Sequence, residues 1–186
     1  MSTRNKAGFT IIELLIVAAI IGLLSAVVLQ SLNAARQKSR NATRLSQIDQ
    51  INKAMELSAT GGQNKLPYSG TTDQFIWTCL GATANCAGGS NYGWSPSLNT
   101  TVGNNIAGGV IPRDPSISLG SIGDYYLYHS NMPNITTGSC TPTLCPAGAY
   151  LSWVVENSTN CGRGKLWIAV TSGNRCVLRV GDSVTN

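Results

Sequence analysis

Lys6-Ala7-Gly8-Phe9-Thr10-Ile11-Ile12-Glu13 runs directly into Leu14-Leu15-Ile16-Val17-Ala18-Ala19-Ile20-Ile21-Gly22-Leu23-Leu24, and this stretch decides the fold. From Phe9 to Leu32 the only charged residue is Glu13. The apolar run is long enough for a bilayer, whose hydrocarbon core takes about 20 residues of helix to cross. A carboxylate at that depth costs about 2.5–3.5 kcal/mol on insertion scales, so it is normally kept for a partner or a task. Glu13 needs a cation, and the apolar run contains none.

The helix does not stop where the apolar run ends. Between Arg36 and Ser58 there is neither Pro nor Gly, and Leu45, Ile48, Ile51 and Met55 recur at helical spacing, which marks one apolar face. Gly61-Gly62 supplies the stop. One helix of roughly 50 residues, about 75 Å long at the α-helical rise, is therefore expected from Phe9 to Thr60. Residues 9–32 would span the membrane, and the amphipathic half would pack on a globular head formed by residues 61–186. A cleaved secretory signal fits less well, because the run is long, holds Glu13 and continues as helix with no small-x-small site followed by a break.

At 186 residues the chain has room for one anchored helix and one modest domain, which excludes a large multidomain enzyme. Only 11% of residues are charged. The net charge of +5 lies mostly around the helix, in Arg4, Lys6, Arg36, Lys38, Arg40 and Arg44. Beyond Gly61, Lys65, Arg113, Arg163, Lys165, Arg175 and Arg179 nearly balance Asp73, Asp114, Asp124, Glu156 and Asp182. Cys79, Cys86, Cys140, Cys145, Cys161 and Cys176 all follow the apolar run, which suits disulfides in an oxidising compartment. Proximity in sequence favours the pairs Cys79–Cys86, Cys140–Cys145 and Cys161–Cys176. The cysteines also favour a cytoplasmic N-terminus, although Arg36, Lys38, Arg40 and Arg44 after the span pull against the positive-inside rule.

Gly8, Phe9, Thr10 and Glu13, with the contiguous apolar run to Leu24, resemble the type IV pilin and pseudopilin family. The resemblance implies that residues 1–8 are a leader removed between Gly8 and Phe9 by a membrane prepilin peptidase. It implies N-methylation of Phe9 and polymerisation into a helical filament of identical subunits, driven by inner-membrane machinery with a cytoplasmic ATPase. Cleavage would create an α-amino group on Phe9, with a reference pKa of about 7.7–8.0, as the cation for Glu13 of a neighbouring subunit. Many pilins carry Pro where this chain has Gln30, so the kink is not encoded there by proline. Gly22 and Ser25 remain as weak points of the helix.

The fold class that follows is α+β, with the long N-terminal helix packed on a C-terminal antiparallel sheet. Residues 63–123, rich in Gly, Asn, Ser, Thr and Pro, read as irregular connection with short elements, anchored by Trp77 and Trp94. Ile111-Pro112-Arg113-Asp114-Pro115, followed by Tyr125 to Tyr128, is similar to the entry into the first sheet strand of some pilin heads. Tyr150–Glu156, Lys165–Thr171 and Arg175–Val180 read as further strands within residues 124–182, separated by turn signals that include Ser172-Gly173-Asn174.

No constellation in the head carries catalytic chemistry, and the expectation is a protein that is not an enzyme and uses no metal or cofactor. His129 stands alone beside a Tyr-rich strand and reads as structural. Asp114, Asp124 and Asp182 lack calcium-loop spacing. The Asn-x-Thr sites at Asn41, Asn99, Asn134 and Asn157 read as incidental in so Asn- and Thr-rich a chain. Arg163, Lys165, Arg175 and Arg179 cluster in sequence and are candidates for weak DNA contact, against a solvated face. The resemblance implies a type IV pilus subunit serving adhesion, motility or DNA uptake. It would be held in the cytoplasmic membrane as a single-pass precursor and then carried in an extracellular pilus. A type II secretion pseudopilin is the alternative, and a singly anchored extracellular enzyme or receptor is the reading from another class.

Overall fold

A computed structural model describes residues 8, 10–60, 65–69, 76–82, 92–115, 126–133, 145–170 and 173–182. Helix α1 covers Ile11–Thr60 as one element. The chain divides into two compact units, Met1–Lys38 and Ser39–Asn186.

In the second unit, the α1 residues Ile48, Ile51, Ala54 and Met55 are buried, with Leu45 partly so. The stripe read from the sequence is thus the helical side of the core. Each large aliphatic side chain buried there contributes about 1.5–3 kcal/mol relative to exposure. Facing it are Tyr126, Tyr128, Leu151, Trp153, Val155 and Cys176 from the sheet.

The sheet has six strands: β1 (Trp77–Leu80), β2 (Tyr92–Gly93), β3 (Tyr126–Met132), β4 (Gly148–Val155), β5 (Lys165–Val170) and β6 (Gly173–Gly181). Their spatial order is β2-β1-β3-β4-β6-β5. All neighbours are antiparallel except β1 and β2, which run parallel, so the expected antiparallel sheet is in fact mixed. The strands read between 150 and 180 are β4, β5 and β6, and β3 extends through His129 to Met132.

Residues 63–123 contribute more order than their composition suggested. They supply β1 and β2 to the sheet and a short helix, α2 (Pro96–Gly103). Ser95 caps α2 by accepting from the Leu98 amide, and Pro96 occupies the first turn, where its missing N–H costs nothing. Leu98 and Val102, one turn apart, then enter the core.

Both faces of β4 are buried along its whole length. Tyr150 belongs to a second apolar cluster on the side away from α1, with Trp77, Leu127 and Val177. A register shift between Leu166 and Ile168 bulges β5 at Trp167, which packs against that second cluster. At the turn into β5, Gly162 has φ +56, and a Cβ there would lie 3.0 Å from the Leu45 side chain. Only glycine meets both demands without strain.

Candidate assembly site

The N-terminal unit is assembled from Thr10 outward. Gly8 is exposed, and Phe9 lies outside the described residues. Thr10 donates to Glu13 Oε2 from its backbone amide at 2.8 Å and from its hydroxyl at 2.7 Å. In return the Glu13 amide approaches Thr10 Oγ1 at 3.4 Å. This is a reciprocal capping box, in which a Thr and the Glu three residues later satisfy each other's helix-end groups. Glu13 thus has neutral partners within its own chain, one oxygen accepting two hydrogen bonds from Thr10. The signal is present in the sequence as Thr10-x-x-Glu13.

Past the cap, the helix is apolar around its circumference and uncovered within its own unit. Consecutive residues Leu14, Leu15, Ile16 and Val17 are 69%, 64%, 54% and 53% exposed. A helix hydrophobic on every side belongs in lipid or in a helical core. By length and composition α1 is able to cross a membrane, a property that signal sequences share. Ser25 bonds back to the Ile21 carbonyl at 2.7 Å, so the polar hydroxyl inside the run is internally satisfied.

Residues 3–29 match the family model described as the prokaryotic N-terminal methylation motif. This is a prepilin-type leader motif, consistent with a type IV pilin-like protein. The match contains Gly8, Phe9, Thr10 and Glu13 and stops one residue before Gln30, so the missing proline lies just beyond the matched segment. No curated protein and no solved structure matches the chain.

A second concentration of charge lies wholly within the Ser39–Asn186 unit. Arg44 has no exposed surface. Its Nε lies 2.9 Å from Asp114 Oδ2, and its Nη2 lies 2.9 Å from Asp114 Oδ1 and 2.7 Å from Glu156 Oε1. Arg40 also donates to both oxygens of Glu156. Burial opposes the charge of Arg44, but the bonds and charges of Asp114 and then Glu156 outweigh it and hold the guanidinium above its ordinary value. For Glu156 the hydrogen bond from Arg40 is the largest influence, and together with Arg44 it holds the carboxyl below the usual value against burial. Tyr126 donates to Gln47 beside this network, and its phenol is raised by burial and then by Asp114. Arg40 and Arg44 are thus matched by head carboxylates instead of standing as loose charges after the apolar run. Asp114, which lacks calcium-loop spacing, is the buried partner of Arg44.

Cys161 and Cys176 form the expected disulfide, with Cα atoms 5.6 Å apart. Cys79 and Cys145 are also disulfide-bonded, while Cys86 and Cys140 lie outside the described residues, as does the test of their pairing. His129 is buried against Trp77, ring centroids 5.5 Å apart, with Nδ1 accepting from the Asn131 amide at 3.0 Å.

The four candidate DNA contacts differ in burial and in partners: register places Lys165, Arg175 and Arg179 on one side of the sheet, but not all of them reach solvent. Arg175 is 8% exposed near the start of β6, opposite Val154 and Ile168. Arg163 is exposed but leans toward Asp49 at 3.6 Å, and Arg179 bonds Asp182 at 2.6 Å. Lys165 is exposed at the start of β5.

Proposed function

We propose that this chain is the structural subunit of a type IV pilus, cleaved between Gly8 and Phe9, methylated on Phe9 and polymerised through α1. The observation that carries this reading is the methylation motif over residues 3–29, set on an apolar helix that nothing in its own unit covers. Uncovered apolar surface of this extent is stable in lipid before assembly and against other helices after it.

Cleavage by the prepilin peptidase hydrolyses the Gly8–Phe9 bond and leaves the Phe9–Thr10 amide intact. The Thr10 donors to Glu13 Oε2 therefore survive processing. Glu13 Oε1 accepts no hydrogen bond among the described residues, and it is the oxygen available to the new Phe9 ammonium of an adjoining subunit. Methylation keeps that amine protonatable, so the pairing persists. Filament growth then pairs two charges that are each unstable alone in an apolar environment.

The reading gives the chain a membrane-anchored precursor with its N-terminus in the cytoplasm, no catalytic role, and identical subunits as its main partners, served by the peptidase and an ATPase-driven assembly machine. Electron microscopy of surface filaments with mass analysis of their subunit tests it. The expected result is long fibres whose subunit begins at Phe9 and carries one added methyl group. A short periplasmic assembly required for secretion would place the chain with the pseudopilins instead, and an unprocessed chain beginning at Met1 would overturn both readings.

A further inference from the structure

A cavity of about 350 Å³ opens on the head, beside the turn that leads into β5. Tyr150, Pro146 and Val177 supply apolar walls, and Lys165 and Arg179 supply positive charge. The sheet register explains the grouping: Lys165 lies opposite Val177, and Arg179 lies opposite Tyr150, so β4, β5 and β6 bring all four to one side of the sheet. Arg163 also lines the cavity, although its Nη1 is drawn to Asp49 at 3.6 Å.

Several features hold this arrangement in place. Arg179 Nη2 bonds Asp182 Oδ1 at 2.6 Å and the Ala147 carbonyl at 3.3 Å. Gly148 makes room for it, because a Cβ there would lie 2.7 Å from Arg179 Nε. Tyr150 donates to the Pro146 carbonyl at 2.6 Å, which fixes the phenol against the opposite wall. The Cys161–Cys176 disulfide ties the turn carrying Arg163 and Gly164 to the strand carrying Val177 and Arg179. Lys165 has no carboxylate partner among the described residues.

We propose that this cavity binds a small organic anion, a carboxylate or phosphate group borne on a compact ring. The charged group would sit between Lys165 and Arg179, and the ring would lie on Tyr150 and Pro146. The volume is near the lower end of about 300–1,000 Å³ for small-molecule sites, which suits one such unit. Extended nucleic acid is disfavoured, because backbone binding uses a track of several cations. Here Arg175 is buried, Arg163 is turned to Asp49 and Arg179 is shared with Asp182. The cavity belongs to the Ser39–Asn186 unit alone, so its binding is separable from polymerisation.

The test is calorimetric titration of the full chain in detergent micelles with glucuronate, ribose 5-phosphate and neutral glucose. The expected result is binding of at least one anion about tenfold or more tighter than glucose. Preference for glucuronate identifies the carboxylate source, and preference for ribose 5-phosphate the phosphate source. Lys165→Gln, an exposed substitution, should weaken the preferred anion about tenfold, while Lys53→Gln, on an exposed position of α1, leaves it unchanged. Asp182→Asn, which frees Arg179, should tighten it. Glucose binding equal to the anions, no binding of either anion at millimolar concentration, or equal losses in Lys165→Gln and Lys53→Gln would each overturn the proposal.

Discussion

The Asn41 carboxamide meets the backbone of Glu156 from both sides, its Nδ2 donating to the carbonyl at 2.8 Å and its Oδ1 accepting from the amide at 3.0 Å. Oδ1 also accepts from Arg44 Nη1 at 2.8 Å. One side chain on α1 thereby supplies the pairing that a neighbouring strand would give just past the end of β4. Asn41→Ala would leave both backbone groups of Glu156 unpaired at a nearly buried position, at a cost of about 1–3 kcal/mol. Urea unfolding of the full chain in mild detergent measures it. The same geometry occupies the Asn41-Ala42-Thr43 sequon, so mass analysis of the folded protein should find Asn41 unmodified under any glycosylating condition.

Arg44 sits where a lost partner is expensive. Arg44→Met alone takes the guanidinium from the buried Asp114 carboxylate, and breaking a buried pair in this way costs about 3–5 kcal/mol. Pairing it with Asp114→Leu removes the buried carboxylate as well, and Glu156 keeps Arg40. The double variant should recover most of the loss in the same urea titration. Equal destabilisation of the single and double variants would mean that Arg44 acts through packing and not through its charge.

Acid should loosen the contact between Arg40, Arg44 and Glu156 before the apolar core gives way. The folded-state pKa of Glu156 lies below its ordinary value of 4.5, so its contribution to stability is fully present above that pH. It is lost as pH falls through the lower folded value. Stability measured between pH 7 and 3 should therefore decline on the acid side of about 4.5, and Glu156→Gln should flatten that decline.

Glu13 has two duties that substitution can separate. Glu13→Gln keeps an acceptor for Thr10, since Gln serves in a capping box, and discards the charge; Glu13→Ala discards both. If the Phe9 ammonium is the assembly partner, both variants should insert in the membrane and be cleaved at Gly8, yet form filaments at about a tenth of the normal yield or less. Normal filaments from Glu13→Gln, counted by electron microscopy of sheared fibres, would reduce the role of Glu13 to capping.

Local pattern made much of this legible and long-range contact hid the rest. The face of α1 that enters the core shows in the spacing of Leu45, Ile48, Ile51 and Met55 because helical periodicity is a property of near neighbours. Arg44 lies on that same face, one turn before Ile48, and its place in the apolar register was a readable sign of burial. Its partner Asp114 is 70 residues away, and no local pattern links the two. Helix α2 was obscured by its Ser, Asn and Thr content, although Ser95-Pro96 with Leu98 and Val102 one turn apart is a helix-start signature. Arg175 and Arg179 look equivalent in sequence. They even share one side of β6, and only burial separates them: Arg175, opposite Val154 and Ile168, is withdrawn from solvent, whereas Arg179, opposite Tyr150, reaches it.

The head closes its core with residues of α1, from Arg44 through Met55, and this decides where the protein can be cut. Severing the chain at Gly61-Gly62 would strip a sheet of the wall it folds against and leave Asp114 and Glu156 facing solvent with their arginines gone. The natural scission point for a soluble head is ahead of Ser39, inside the continuous helix and upstream of every residue that the sheet borrows from it.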